Sequence, residues 1–195
     1  MSGASLICGI DEAGRGPLAG PVCAAAVILG NDFPCSILND SKKLSELKRN
    51  ELQQIIYEKA LVWGIGWASH TEIDEINILQ ASLLAMKRAF EEMEKKCSFP
   101  LGDNISVIID GIHVPKINAP CKAVVKADAK ISEVMAASIL AKTARDSYMY
   151  EMAKLYPQYG YEKHKGYPTK THRQLILKYG PSPIQRMSFR AALTK

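Results

Sequence analysis

The acidic residues of this chain fall where ionised carboxylates are hard to keep. Asp11 and Glu12 follow directly on the apolar run Leu6-Ile7-Cys8-Gly9-Ile10, and Asp110 follows Ile105-Ser106-Val107-Ile108-Ile109. Asp128 comes just after a third such segment, residues 121–126. A carboxylate at the tip of a buried strand is costly to ionise without compensation. Strand ends gather around ligand sites in open α/β sheets, which makes convergence of these acids plausible. Two carboxylates about 4 Å apart repel by about 4 kcal/mol at an effective dielectric near 20, so four together call for cations. An all-oxygen set with no His or Cys cluster nearby selects Mg²⁺ or Mn²⁺ over zinc. Two such ions can clamp the attacking water and the leaving oxygen of a phosphodiester. Each acid also has a plainer reading. Asp11-Glu12 can open a turn, Asp110-Gly111 can be a turn, and Asp128 can cap the helix that follows. There is a geometric condition too: neighbours on a strand point to opposite faces, so Asp11 and Glu12 share a site only where the strand bends. Gly14 could supply that bend.

The stretch after the first acids, Ala13-Gly14-Arg15-Gly16-Pro17-Leu18-Ala19-Gly20-Pro21, would let a ligand reach the backbone. It has no Gly-Lys-Ser/Thr and is not a P-loop. It leads into the apolar run 22–29 rather than a clear helix, which does not fit a dinucleotide fingerprint. Ser41, Lys42 and Lys43 stand at a helix entrance, as a phosphate contact or a solvated loop. Lys142 can contact phosphate or pair with Asp146 one turn on. Residues 159–168 form a basic, aromatic stretch with Lys163, His164, Lys165 and Tyr167. There His164 reads as a loop or phosphate contact rather than a general base.

The elements that must position these groups follow from pattern. Apolar runs bounded by Gly and Pro predict strands over 6–10 and 22–29. Alternation with Trp63 and Trp67 predicts a third over 61–69, and 105–109 and 121–126 give two more. Ser45 caps a helix to about residue 59. Thr71 caps a short turn over 72–76, and a long helix runs over 78–96. A helix over 131–156 is apolar nearly all round and therefore buried. Thr169 or Thr171 opens the last helix, to about 179, before an irregular tail. Five strands mixed with helices, the first two in hairpin order, predict an α/β domain with a mixed sheet.

The chain has 195 residues, 47% of them hydrophobic, enough for a single domain with a substantial core. Its net charge of +5 mildly favours a polyanionic partner. Five scattered cysteines without a Cys-x-x-Cys pair fit reduced thiols in a cytosolic protein. No signal peptide or membrane-length apolar run is visible, so a cytoplasmic location without a membrane partner is expected.

At this point the sequence resembles bacterial ribonuclease HII. The resemblance rests on Gly9-Ile10-Asp11-Glu12-Ala13-Gly14-Arg15-Gly16-Pro17-Leu18-Ala19-Gly20-Pro21-Val22 and Asn39-Asp40-Ser41-Lys42-Lys43-Leu44. It continues through Ile109-Asp110-Gly111, Lys126-Ala127-Asp128, Ala136-Ala137-Ser138-Ile139-Leu140-Ala141-Lys142 and His164-Lys165-Gly166-Tyr167-Pro168-Thr169. The blocks keep the family order and span nearly the whole chain. The resemblance implies a ribonuclease H-like fold over 1–195, with the segment from about 157 completing the substrate site. It implies cleavage of the RNA strand of RNA–DNA hybrids and of single ribonucleotides embedded in duplex DNA. The cut would fall 5′ of the ribonucleotide, leaving a 5′-phosphate and a 3′-hydroxyl.

The resemblance further assigns two divalent ions, Mg²⁺ or Mn²⁺, to Asp11, Glu12, Asp110 and Asp128. It assigns 2′-hydroxyl reading to the Gly14-Arg15-Gly16 backbone and sugar stacking to Tyr167. Ser41, Lys42, Lys43, Lys142, Arg145 and Lys165 are then candidate substrate contacts. Arg186-Met187 stands where the family often has two basic residues, so a second basic contact is not expected there. The additional N-terminal domain of ribonuclease HIII is not seen. No sliding-clamp motif is found at the C-terminus, and a monomer is expected. A non-catalytic hybrid-binding module is the alternative from another class, and the complete set of four acids weighs against it.

Overall fold

The protein is described by a computed structural model, covering residues 6–38, 44–99, 101 and 105–192. Five strands form one sheet: β1 Leu6–Ala13, β2 Val22–Leu29, β3 Ala60–Ala68, β4 Ile105–Asp110 and β5 Cys121–Val124. The order across the sheet is β3-β2-β1-β4-β5. The first three strands pair antiparallel, whereas β4 runs parallel to β1 and β5 parallel to β4. The expected mixed sheet is therefore present, with β1 at its centre.

Helices α1 Glu46–Lys59, α2 His70–Lys96 and α3 Ser132–Leu155 cover the two faces, and α4 Tyr161–His164 and α5 Lys170–Tyr179 follow. On one face Cys8, Ile10, Ala24 and Ala26 pack against Ala85, Ala89, Phe90 and Met93 of α2. On the other, Ala25, Val27 and Leu29 meet Leu52 and Ile56 of α1 and Ala136 to Leu140 of α3. Strand β2 is buried on both faces, which is why its sequence does not alternate. Glycine sets how near the helices come. A Cβ on Gly9 would stand 2.2 Å from the Glu133 carbonyl carbon of α3, and one on Gly66 2.2 Å from the Ala85 oxygen of α2. Only a residue without a side chain allows such contact between helix and strand backbones.

Local chemistry explains the helix starts. The Ser45 hydroxyl accepts from the Lys48 amide at 3.2 Å. Helix α2 opens on a reciprocal box: Glu72 N–H donates to Ser69 Oγ at 3.1 Å and Ser69 N–H donates to Glu72 Oε2 at 2.8 Å. The cap is thus Ser69 rather than the expected Thr71, because Ser69 has Glu72 three residues on. The break between the two expected helical pieces falls at Asn77, whose φ is 67°. Its side-chain oxygen accepts from the Leu79 and Gln80 amides and restarts the helix. Thr169 caps α5. Strand β5 ends two residues earlier than expected, at a turn with Lys126 in the left-handed region (φ 58°). Within the basic stretch 159–168 the chain forms α4 rather than an open loop. Among the described residues, no helix is long and apolar enough to cross a membrane.

Candidate active site

The central pair of strands brings two acids side by side. Ile10 stands opposite Ile109 in the parallel pairing of β1 with β4, so Asp11 and Asp110 are the next neighbours in register. Asp11 leaves the sheet on the face covered by α3, since its partner Ala25 packs on that side and Ser138 of α3 hydrogen-bonds its carboxyl group. Ile109 packs on the α2 side, so Asp110 turns to the same face as Asp11. The Ala127 amide donates to Asp110 Oδ1 at 2.7 Å, which fastens the end of β4 to the 3₁₀ turn Ala127–Ala129. Asp128 lies in that turn and is buried. It is not the N-cap of α3, a position taken by Ile131.

Glu12 departs from expectation. Strand β1 does not bend at the acids; it pairs with β2 without interruption to Ala13 opposite Cys23. Regular alternation along such a strand would turn the Glu12 side chain from the face of Asp11. It stands at a boundary: it lines a cleft with Ser138, Lys142 and Tyr167, and a second with Ser82, Met86 and Asp110. The two acids still feel each other. Burial, then the charge of Glu12, then that of Asp110, hold the Asp11 carboxyl well above the usual carboxylate range. Hydrogen bonds from Ser138 and the Glu12 amide only partly offset this. Burial also raises Glu12, opposed by Arg15 and reinforced by Asp110. Among the described residues, no three His, Cys, Asp or Glu side chains are arranged so as to hold a metal ion. The donor chemistry nevertheless suits a hard cation: oxygen ligands only, in a place where negative charge is held at a cost.

The cleft beside the acids, about 280 Å³, is lined by Glu12, Ala13, Gly14, Arg49, Ser138, Lys142 and Tyr167 among others. Tyr167 is 39% exposed, and a Cβ on Gly16 would stand 3.7 Å from its Cε1. The Gly14-Arg15-Gly16 turn and the Tyr167 ring are therefore in contact range. Lys142 lines the cleft and pairs with Asp146 at 2.7 Å, the one-turn pairing that was one of its two readings. Arg15 is exposed and lies 3.4 Å from Glu12. A cavity of about 750 Å³ lies at the opening end of β4 near Phe90 and Ile105, and no candidate residue lines it.

Two expected substrate contacts are placed differently, and His164 takes the loop role among its readings. Arg145 is 1% exposed and spends its donors on the carbonyls of Pro21, Ala19 and Lys165. A guanidinium so enclosed braces the loop and is not available to a phosphate. The Lys165 ammonium turns to the Glu162 carbonyl and the face of Tyr150, 3.9 Å from the ring centre. His164 is buried; its Nε2 donates to the Tyr159 carbonyl at 2.8 Å and its Nδ1 accepts the Gly166 amide. It holds the loop together, stacked 4.3 Å from the ring of His172. The positions of Ser41, Lys42 and Lys43 lie outside the described residues. Sequence reasoning gave no role to Ser138 or Arg49, and marked Arg186 only as one basic residue where two are common. Ser138 and Arg49 could have been marked by a polar side chain on an apolar helix and a basic residue one turn into a helix beside the lysine pair.

Comparison with known proteins adds an independent line. The family described as Ribonuclease HII matches residues 8–192. The Ribonuclease HII of Treponema denticola is 56% identical over 193 residues, covering 94% of this chain and 98% of its own. Among solved structures, the RNase HII of Archaeoglobus fulgidus, in a complex with PCNA, superposes with a TM-score of 0.75 at 24% identity, covering 97% of each chain. Bst-RNase HIII, solved with Mn²⁺, superposes with a TM-score of 0.74 at 16% identity, covering 98% of this chain and 70% of its own. At those identities the two structures speak for the fold.

Proposed function

The chain belongs to the ribonuclease HII family, and from that premise we propose that it cuts at ribonucleotides within double-stranded nucleic acid. The substrates are the RNA strand of RNA–DNA hybrids and single ribonucleotides embedded in duplex DNA. The break lies 5′ of the ribonucleotide, leaves a 5′-phosphate and a 3′-hydroxyl, and begins the removal of ribonucleotides from DNA. Asp11, Glu12, Asp110 and Asp128 are the residues that hold divalent ions. Bound there, Mg²⁺ or Mn²⁺ would relieve the repulsion among the carboxylates, polarise the scissile phosphate and activate the attacking water.

The chain's own residues supply recognition. The 2′-hydroxyl both donates and accepts, and is the group that separates RNA from DNA. A backbone carrying glycines at 14 and 16 can touch it where a Cβ would obstruct. Tyr167 offers a flat ring to the sugar on the far side of the cut, tolerating deoxyribose and crowding a 2′-oxygen. Lys142 lies where a backbone phosphate would pass, and its contact would carry no sequence preference.

The observation that carries this reading is the shared face. Asp11 and Asp110 are neighbours across β1 and β4, and Gly14 and Tyr167 line the adjoining cleft, with Gly16 beside the Tyr167 ring. The test is a duplex with one ribonucleotide, beside its all-DNA counterpart, incubated with Mg²⁺ or Mn²⁺ and with EDTA. One cut 5′ of the ribonucleotide, abolished by EDTA and absent from the all-DNA duplex, is expected. Cleavage of the all-DNA duplex, or persistence in EDTA, would refute it.

A further inference from the structure

We propose that Arg186 is a positioning residue for ribose recognition: its buried guanidinium draws the carbonyls of Gly14 and Arg15 inward and so turns the amides of Arg15 and Gly16 outward, toward the 2′-oxygen of the bound ribonucleotide. This rests on the functional reading above and adds the device that shapes the reader.

Arg186 is 1% exposed. Its hydrogen bonds go to backbone oxygens of one loop. Nη2 donates to Gly14 at 2.7 Å and Pro21 at 3.1 Å, Nη1 to Arg15 at 3.0 Å, and Nε to Gly20 at 2.8 Å. A peptide unit is planar and trans, so its carbonyl and its N–H point in opposite directions. The Gly14 oxygen shares a unit with the Arg15 N–H, and the Arg15 oxygen shares one with the Gly16 N–H. No cis peptide occurs among the described residues. Holding both oxygens from the protein side therefore leaves two successive donors directed away from the buried guanidinium, beside Gly14, which lines the cleft. Two converging N–H groups suit an oxygen with lone pairs to share.

The rest of the loop agrees. Gly14 has φ +99°, and a Cβ there would stand 2.1 Å from Arg145 Nε. The second buried arginine thus packs into the space that glycine leaves. Arg145 also ties the loop, through Ala19 and Pro21, to Lys165, two residues from Tyr167. Burial, then repulsion from Arg145, brings Arg186 down to about 9, so it remains a cation at neutral pH. Burying a guanidinium is costly, and charge-assisted bonds to carbonyls are what compensate it. A lysine presents a point charge and cannot span two successive carbonyls in fixed geometry.

The test compares the wild type, Arg186→Lys and Arg186→Ala in binding to a duplex with one ribonucleotide and to the same duplex without it. Circular dichroism reports folding. Arg186→Lys is expected to keep its spectrum and its all-DNA affinity while its preference for the ribonucleotide falls about tenfold, the worth of one hydrogen bond. Added guanidinium is expected to restore part of that preference to Arg186→Ala. A lysine variant with the wild-type preference overturns the inference, as does equal loss on both duplexes. Should neither variant fold, amide exchange on the wild type decides. The Arg15 and Gly16 amides should exchange as exposed groups and gain protection from the ribonucleotide duplex alone; protection in the free protein overturns the inference. A wild type that binds both duplexes alike overturns the functional reading itself. A discriminating wild type beside an equally discriminating Arg186→Lys overturns this inference only.

Discussion

Asp110 accepts the Ala127 amide at 2.7 Å, so the end of β4 and the turn carrying Asp128 form one mechanical unit. The bond makes the carboxyl group of Asp110 structural as well as chemical. Asparagine preserves an acceptor oxygen there and removes the charge; alanine removes both.

Asp110→Asn is therefore expected to keep the wild-type melting temperature and to lose cleavage by at least about a hundredfold. Asp110→Ala should lose activity equally and also about 1–3 kcal/mol of stability, because the Ala127 N–H is left without its acceptor. Thermal unfolding beside a cleavage assay separates the two effects. Near-normal turnover in the asparagine variant would remove Asp110 from the metal set.

Asp11 makes stability depend on pH in a definite direction. Burial and the charge of Glu12 raise its carboxyl well above the ordinary value of 3.8, so the folded protein holds a proton that the unfolded chain has released. Stability then falls as pH climbs from that ordinary value through the raised one. Without divalent ions, Asp11→Asn should melt above the wild type at neutral pH, by about 2–4 °C for each kcal/mol of relieved strain. The difference should vanish in acid below the window. Mn²⁺ should raise the wild-type melting temperature and leave that of the variant unchanged.

The two glycines flanking Arg15 should fail in different ways. Alanine at Gly14 meets both a left-handed backbone and the Arg145 side chain, so a loss of about 1–3 kcal/mol is expected. Alanine at Gly16 would meet only an ordinary contact with Tyr167. Gly16→Ala should melt like the wild type yet cut ribonucleotide-bearing duplex poorly. Equal stability of the two variants would contradict this assignment.

Tyr167 offers a partly exposed ring to the cleft. Tyr167→Phe should cut at nearly the wild-type rate. Tyr167→Ala should lose junction cleavage about 10–100-fold, the range that one base-stacking contact commands, while duplex affinity changes little. Parallel loss of binding and cleavage would argue against a junction sensor.

Much of this was legible locally. Apolar runs gave the five strands, and the separate helical pieces before and after Asn77 were visible because Asn tolerates a positive φ and can cap the next turn. The acids at the ends of β1 and β4 were legible for the same reason. What escaped depended on distant partners. Whether β1 bends at its acids is decided by unbroken pairing with β2, not by the nearby glycine. Arg145 looks like any basic residue on a helix until Ala19 and Pro21, more than a hundred positions away, enclose it. Arg186 stood out only as one basic residue where two are common; its bracing of the loop was hidden because backbone carbonyls, its partners, have no letter in a sequence.

The parallel pairing of β4 with β1 sets a timetable for synthesis. Leu6 meets Ile105 only when about a hundred residues have been made, and Asp128 and Arg186 emerge later still. A chain broken off before β4 therefore leaves Asp11 without its neighbour Asp110, however well the β1–β2–β3 half of the sheet has formed.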